Sequence, residues 1–372
     1  MYRNFALLFA LYILLSLKQK YQVKAQYASH CSTVNDEPGL CMPVKSCRNI
    51  YEIFQQTASI SGDLTDDHKN LITKSYCGTF RNVHHVCCLK SEIQLNSEGL
   101  EILTNTRCGI NHASTVSRGF VAALFSFPWM ALLKYNIGEP FKCGGSLITN
   151  RKLCIDGSSL RLPSGGYNFL ARVGVRLGEY NISSLSDCTN SPIKSECAPP
   201  VEDVGIEEII IPHNYRKHVF HDDIALIRLD RTVEFRRQLK PICLPITDEL
   251  RSAHHSHYVI SGWGRTENGN TSDVLMVALV RHIERQTCQK DFAVLPPLNE
   301  EHICAGGENL VDSCRGDSGG PLGFRDKHLG HLRFIQFGVV SFGISTCGQV
   351  NLPGVYTNVS HYMQWITDNI TK

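Results

Sequence analysis

The chain has 372 residues, with 37 Lys and Arg against 35 Asp and Glu and a formal net charge of +2. That balance supplies no field to hold a nucleic acid or an anionic membrane. The length allows one large domain and one small one, and a composition 42% hydrophobic and 19% charged fits a globular protein with a core.

Arg3 precedes an apolar run from Phe5 to Leu17, and Val23-Lys24-Ala25 offers small residues for cleavage. This pattern predicts a signal peptide over 1–25 and a secreted, extracellular protein. The run is shorter than the roughly 20 residues that span a bilayer, so no membrane partner is expected once the signal is removed. Sixteen cysteines behind such a signal predict disulfides, because the secretory compartment is oxidising. The Asn-x-Ser/Thr triplets at Asn181, Asn270, Asn358 and Asn369 are candidate glycan sites.

Cys31, Cys41, Cys47, Cys77, Cys87 and Cys88 fall within 58 residues, a segment too small to be held by apolar burial alone. Composition leaves open all fifteen ways of pairing six cysteines. The stretch 89–115 reads as a linker. From about Pro128 onward short β-like runs alternate with Gly, Pro, Asn and Asp: Leu170 to Leu177, Ile224 to Leu229, Tyr258 to Trp263 and Phe334 to Ser341. This spacing predicts an all-β barrel or sandwich. Tyr362, Trp365, Ile366 and Ile370 lie at helical spacing and predict one amphipathic C-terminal helix.

The strongest chemical signal is Gly316-Asp317-Ser318-Gly319-Gly320-Pro321. A serine on such a turn exposes its hydroxyl, while the N–H groups of Gly316 and Ser318 converge where an oxyanion would develop. Together with Cys143-Gly144-Gly145-Ser146-Leu147, Asp223-Ile224-Ala225-Leu226 and Pro353-Gly354-Val355-Tyr356, this stretch resembles the chymotrypsin/trypsin family. The six-cysteine segment 31–88 resembles the CLIP domain of arthropod serine proteases of the Toll and melanisation cascades.

The resemblance implies an all-β fold: a double six-stranded antiparallel β-barrel over 116–372, preceded by the small disulfide-rich CLIP domain. Ser318 would be the nucleophile and Asp223 the carboxylate that orients the base. Asp312 would floor a substrate pocket left open by Gly343 and Gly354, selecting Arg or Lys. A cut between Thr115 and Val116 would free an amine to pair with Asp317. The implied bridges are Cys31–Cys87, Cys41–Cys77, Cys47–Cys88, Cys108–Cys243, Cys143–Cys154, Cys188–Cys197, Cys288–Cys304 and Cys314–Cys347, which would use every thiol. No cofactor is required. Glu179 and Asn181 lie in a loop that binds calcium in some relatives, but Ser186 stands where a further acidic ligand is usual, so a solvated, glycan-bearing loop is expected. The implied partners are protein substrates or other cascade proteases, met by a monomer.

The sequence departs from the pattern at the base. Relatives carry a Thr-Ala-Ala-His-Cys element here, whereas Arg151-Lys152-Leu153 runs straight into Cys154, about five residues early. Without a base the hydroxyl is a poor nucleophile at neutral pH. His221 lies two residues before Asp223 and would share its face on an extended strand, with nothing to aim it at Ser318. Thr115 also replaces the Arg, Lys or Leu expected before the cut. Two readings follow: a secreted zymogen that cleaves after Arg or Lys, or a non-catalytic homologue acting as cofactor or decoy.

Overall fold

The computed structural model describes residues 30–60, 64–80, 82–111, 120–136, 140–160, 172–189, 195–212, 215, 221–266, 270–292, 297–307, 313–343 and 352–371. The signal segment, Thr115, Val116, Asp312 and Cys347 lie outside them. The chain divides into two compact units, 1–97 and 98–372.

In the first unit, β1 (His30–Ser32), β2 (Pro38–Pro43), β3 (Tyr76–Phe80) and β4 (Val83–Cys88) form an antiparallel sheet ordered β1-β2-β4-β3. Two helices, α1 (Arg48–Ile60) and α2 (Asp66–Ser75), intervene. Thr65 caps α2 by accepting from the His68 N–H, which satisfies one of the donors a helix start leaves open. The core is a small cluster of Leu40, Met42, Ile50, Ile53, Leu64, Ile72 and Val86. Three bridges reinforce it: Cys31–Cys87, Cys41–Cys77 and Cys47–Cys88. Each contributes about 2–4 kcal/mol by restricting the unfolded chain.

The stretch read as linker is not featureless. It carries α3 (Ser97–Asn105), and Gly99 sits so close to the backbone of Thr367 that an added Cβ would lie 2.1 Å from its carbonyl oxygen. Only glycine fits there.

The strands of the second unit begin with β5 (Phe120–Val121) and form two antiparallel sheets. In the first sheet are β6 (Met130–Tyr135), β7 (Phe141–Leu147), β8 (Lys152–Ile155), β9 (Arg172–Leu177), β10 (Glu202–Val204), β11 (Ile206–Ile210) and β12 (Ala225–Leu229). Their order is β10-β9-β6-β7-β8-β12-β11. The second sheet holds β13 (His257–Gly262), β14 (Met276–Ile283), β15 (His302–Ala305), β16 (Pro321–His328), β17 (His331–Phe342) and β18 (Gly354–Asn358), with β5 on its edge. Pairing of β13 with β14 closes those six strands into a barrel, whose core includes Tyr258, Ile260, Leu322, Phe337 and Tyr356. The predicted C-terminal helix is present as Val359–Asn369, capped by Asn358.

Aromatic and polar contacts join the sheets. Trp129, entering β6, stacks on Phe334 of β17 at 4.9 Å between centroids, and Phe127 meets both rings edge-on. Buried Ser146 donates to Gln336 Oε1 at 2.6 Å, and the Gly144 N–H donates to the Ser318 carbonyl at 2.8 Å. That last bond places the serine turn at the seam.

Candidate active site

Asp223 lies two residues before β12 of the first sheet and is held by the second. Its carboxylate accepts from Ser341 Oγ, and its carbonyl accepts from Thr357 Oγ1 at 2.7 Å. Residue 223 is 1% exposed, so packing fixes it where the two sheets meet.

The Gly316–Gly320 turn around Ser318 is shaped by glycine. Gly316 and Gly319 adopt φ of 109° and 81°, conformations that other residues enter only with strain. At Gly319 a Cβ would also lie 2.4 Å from the Gly144 carbonyl oxygen. Within the turn the Asp317 N–H donates to the Cys314 carbonyl and the Gly320 N–H to the Asp317 carbonyl. Among the described residues, the N–H groups of Gly316 and Ser318 enter no backbone hydrogen bond.

Asp317 turns its carboxylate inward, accepting from Gly264 N–H on Oδ1 and Cys314 N–H on Oδ2, each at 2.9 Å. Burial pushes its pKa up, and no cation among the described residues pairs with it. Gly343 and Gly354 face one another: a Cβ on Gly343 would meet only the Gly354 Cα, at 3.9 Å. Beside Gly316 opens a cavity of about 550 Å³, lined in part by Phe141, Lys142, Trp263, Arg265, Asp273 and Arg315.

The place beside Asp223 is taken by serine. The chain does not skip the missing segment: β8 keeps its full pairing with β12, Ala225 opposite Ile155 and Leu226 opposite Cys154. Asp156, Gly157 and Ser158 then turn back across the cleft. The Ser158 N–H donates to Asp223 Oδ1 at 2.8 Å, and the Gly157 N–H also serves this carboxylate. Ser158 Oγ donates to Asp156 Oδ2, which accepts the Ser159 N–H as well, at 2.8 Å.

Asp156 is 0% exposed, and its Oδ1 has no hydrogen-bond partner among the described residues. That oxygen lies 2.9 Å from where a Cβ on Gly319 would be, hard against the nucleophile turn. Burial raises the pKa of Asp156 and of Asp223, and the nearby Asp156 charge raises Asp223 further. Two like charges out of water resist simultaneous ionisation. Sequence reasoning misses Asp156 and Ser158. The signal available was a turn-forming Asp-Gly-Ser directly after the apolar run Leu153–Ile155.

Two further corrections concern Cys154 and His221. The expected Cys143–Cys154 bridge is not formed, and Cys154 is a buried free thiol. The β7–β8 register sets Cys154 opposite Ser146, about 10 Å along the strand from Cys143. Bridged Cα atoms stay within roughly 7 Å. Burial, with the nearby Asp156 charge, pushes the Cys154 thiol up to about 12. The structure joins Cys108–Cys243, Cys188–Cys197 and Cys288–Cys304, and Cys314 is bridged.

His221 does not share a face with Asp223, because Asp222 takes φ of +57° and turns the chain. Its Nδ1 instead meets Glu301 Oε2 at 3.1 Å. Against burial, which would raise it, the imidazoles of His221, His361 and His302 hold the Glu301 carboxyl down to about 2.

The loop of Glu179 and Asn181 presents buried carboxylates at Glu179 and Asp187, with Arg176 placing a guanidinium 3.4 Å from Glu179. Of the glycan candidates, Asn270 is exposed. Asn358 and Asn369 commit their amide nitrogens to the carbonyls of Glu300 and Trp365.

Two β-sheets meeting at a Gly-Asp-Ser-Gly turn beside a buried aspartate define the chymotrypsin-like protease class. The trypsin family pattern matches residues 116–366, and the regulatory CLIP domain of proteinases matches 31–88; the chain belongs to the trypsin family and carries a CLIP domain. It is 42% identical to serine protease grass of Drosophila melanogaster, over 94% of this chain and 93% of that protein. It is 35% identical to phenoloxidase-activating factor 3 of Holotrichia diomphalia, over 91% and 93%. The crystal structure of the Drosophila Grass clip serine protease of the Toll pathway superposes with a TM-score of 0.73 at 40% identity, covering 93% of this chain and 98% of that one.

Proposed function

We propose that the chain is secreted and acts as a monomeric zymogen-type component of an extracellular CLIP-protease cascade of the Toll or melanisation kind. It recognises protein substrates or other cascade proteases at Arg or Lys. The observation that carries this reading is the nucleophile turn with its two N–H groups left for an oxyanion, set beside the facing glycines Gly343 and Gly354. Cleavage between Thr115 and Val116 would supply an amine for Asp317, whose inward carboxylate pairs with no cation among the described residues. Asp312 would anchor the basic side chain, and no cofactor enters the chemistry.

Ser158 favours a second reading of the same site. A serine hydroxyl cannot take the proton from Ser318 at neutral pH as an imidazole does. The chain as it stands would then bind its targets and turn them over very slowly, as a cofactor or decoy.

Binding and turnover of the cleaved chain separate the two. A benzamidine-like cation should bind, and Asp312→Asn should weaken it by roughly 2–5 kcal/mol, the usual effect of truncating one partner of a buried charge pair. Equal affinity in both proteins would refute the pocket. Rapid hydrolysis after Arg would establish the endopeptidase and refute the decoy.

A further inference from the structure

Away from the nucleophile, three side chains converge with the chemistry of a transition-metal site. A nitrogen of His221, a carboxylate oxygen of Glu301 and a nitrogen of His302 all lie within 4.8 Å of one another. His221 Nδ1 and Glu301 Oε2 are already 3.1 Å apart, and the His221 and His302 rings have centroids 5.8 Å apart. Zinc bonds imidazole nitrogen and carboxylate oxygen at about 2.0–2.2 Å, so tetrahedral ligands stand about 3.4 Å from each other. One pair already meets that separation, and the third ligand needs a shift of about 1.4 Å at most, within reach of side-chain rotation.

The fold prepares these groups from three directions. Glu301 is fixed by its neighbour Asn299, whose Oδ1 accepts the Glu301 N–H at 2.9 Å and whose Nδ2 donates to Glu301 Oε1 at 3.3 Å. His302 opens β15, is 5% exposed, and its Nδ1 accepts the Asn299 N–H at 3.3 Å. The His221 side chain is 31% exposed and that of Glu301 13%, so solvent reaches one side of the cluster. Two imidazoles and one carboxylate with a solvent-facing fourth position suit zinc; calcium and magnesium prefer oxygen throughout.

We infer that His221, Glu301 and His302 form a zinc site that clamps the segment carrying Asp223. The coupling is covalent and short. His221, Asp222 and Asp223 are consecutive, and Asp222 at φ +57° makes the corner between the metal ligand and the cleft. The Asp222 N–H donates to the same Glu301 Oε2 at 3.3 Å, and the Tyr362 hydroxyl donates to Asp222 Oδ1 at 3.1 Å. A cation drawing in His221 and Glu301 therefore acts on the corner that positions Asp223.

The test is calorimetric titration of the untagged full chain with zinc chloride. His254→Asn, His257→Asn and His331→Asn are introduced beforehand, to remove exposed histidines that could also take metal. One equivalent should bind, and His221→Asn or Glu301→Gln should each weaken it at least about tenfold, the smallest loss usual even for a group that only supports a ligand. Cobalt(II) at the site should give the visible absorption of tetrahedral coordination, lost in both variants. His221 is partly exposed, so its variant should fold even if Glu301→Gln does not, and it decides alone in that case. No binding, or binding that His221→Asn leaves unchanged, would overturn the site.

Discussion

Asp156 sits in surroundings that oppose its charge. A buried acceptor without a partner costs about 1–3 kcal/mol, and more when charged. Its folded pKa is raised, so between the ordinary aspartate range and the raised value the folded chain holds more protons than the unfolded one. Stability must then fall as pH rises through that interval and level off above it. Asp156→Asn keeps the acceptor that serves Ser158 and Ser159 and removes the charge. Thermal unfolding at about pH 5 and about pH 8 should show the wild type losing stability towards the higher pH, and the variant losing less. A variant melting lower than wild type at the higher pH would contradict the buried charge. Residue identities also mark where sequence was legible. Ser318, Asp223 and Asp317 announce themselves by neighbours, whereas Asp156 and Ser158 gain meaning only from the β8 register that brings them to Asp223.

At the scale of elements, the seam depends on close backbone approach. Gly319 lies against the Gly144 carbonyl of β7 and the Asp156 carboxylate, and its φ is 81°. Gly319→Ala should therefore cost about 1–3 kcal/mol and disturb the oxyanion donors together with stability. Chemical denaturation checks the first effect, and weaker binding of a peptide boronate, whose adduct on Ser318 would place an oxygen at those donors, checks the second. A variant as stable as wild type would show that the turn can move away from β7. The strands were legible as short apolar runs bounded by turn residues: Ile224 to Leu229 and Tyr258 to Trp263 coincide with β12 and β13 within a residue or two, and both strands are almost wholly buried. The helix α3 was hidden, because it is only nine residues long and carries Gly99, a poor helix former, in its first turn. The missing base was legible as a missing motif, yet its form was not. Spacing between cysteines suggested a gap, while β-pairing required that the strand keep its length.

For the whole molecule, the disulfides decide what a cut can release. Cys108 is bonded to Cys243, on the far side of the expected cut at Thr115–Val116. A cleaved chain should remain one species in a non-reducing gel and separate into two on reduction. Cys108→Ser should let the N-terminal part dissociate without reduction. A wild-type protein that separates unreduced would contradict the tether. Closure of a 135-residue separation is also worth about 4–5 kcal/mol in the chain-entropy account, so this bridge should lower the unfolding midpoint more than any other when removed.

The central claim is that Ser158 stands in the place of the general base, so that the lesion is a substitution within an intact cleft. The most direct measurement is amidase activity after Arg in a chain carrying Thr115→Arg and cut by trypsin, with and without Asp156→Ala and Ser158→His. The two added substitutions set an imidazole on the backbone that already bonds Asp223 and clear the competing carboxylate. Activity should rise by at least about 10²-fold, the lower end of general acid–base catalysis, and Ser318→Ala should abolish it. An unchanged rate in a folded protein that still binds benzamidine would contradict the account, and so would full activity in the chain that keeps Ser158.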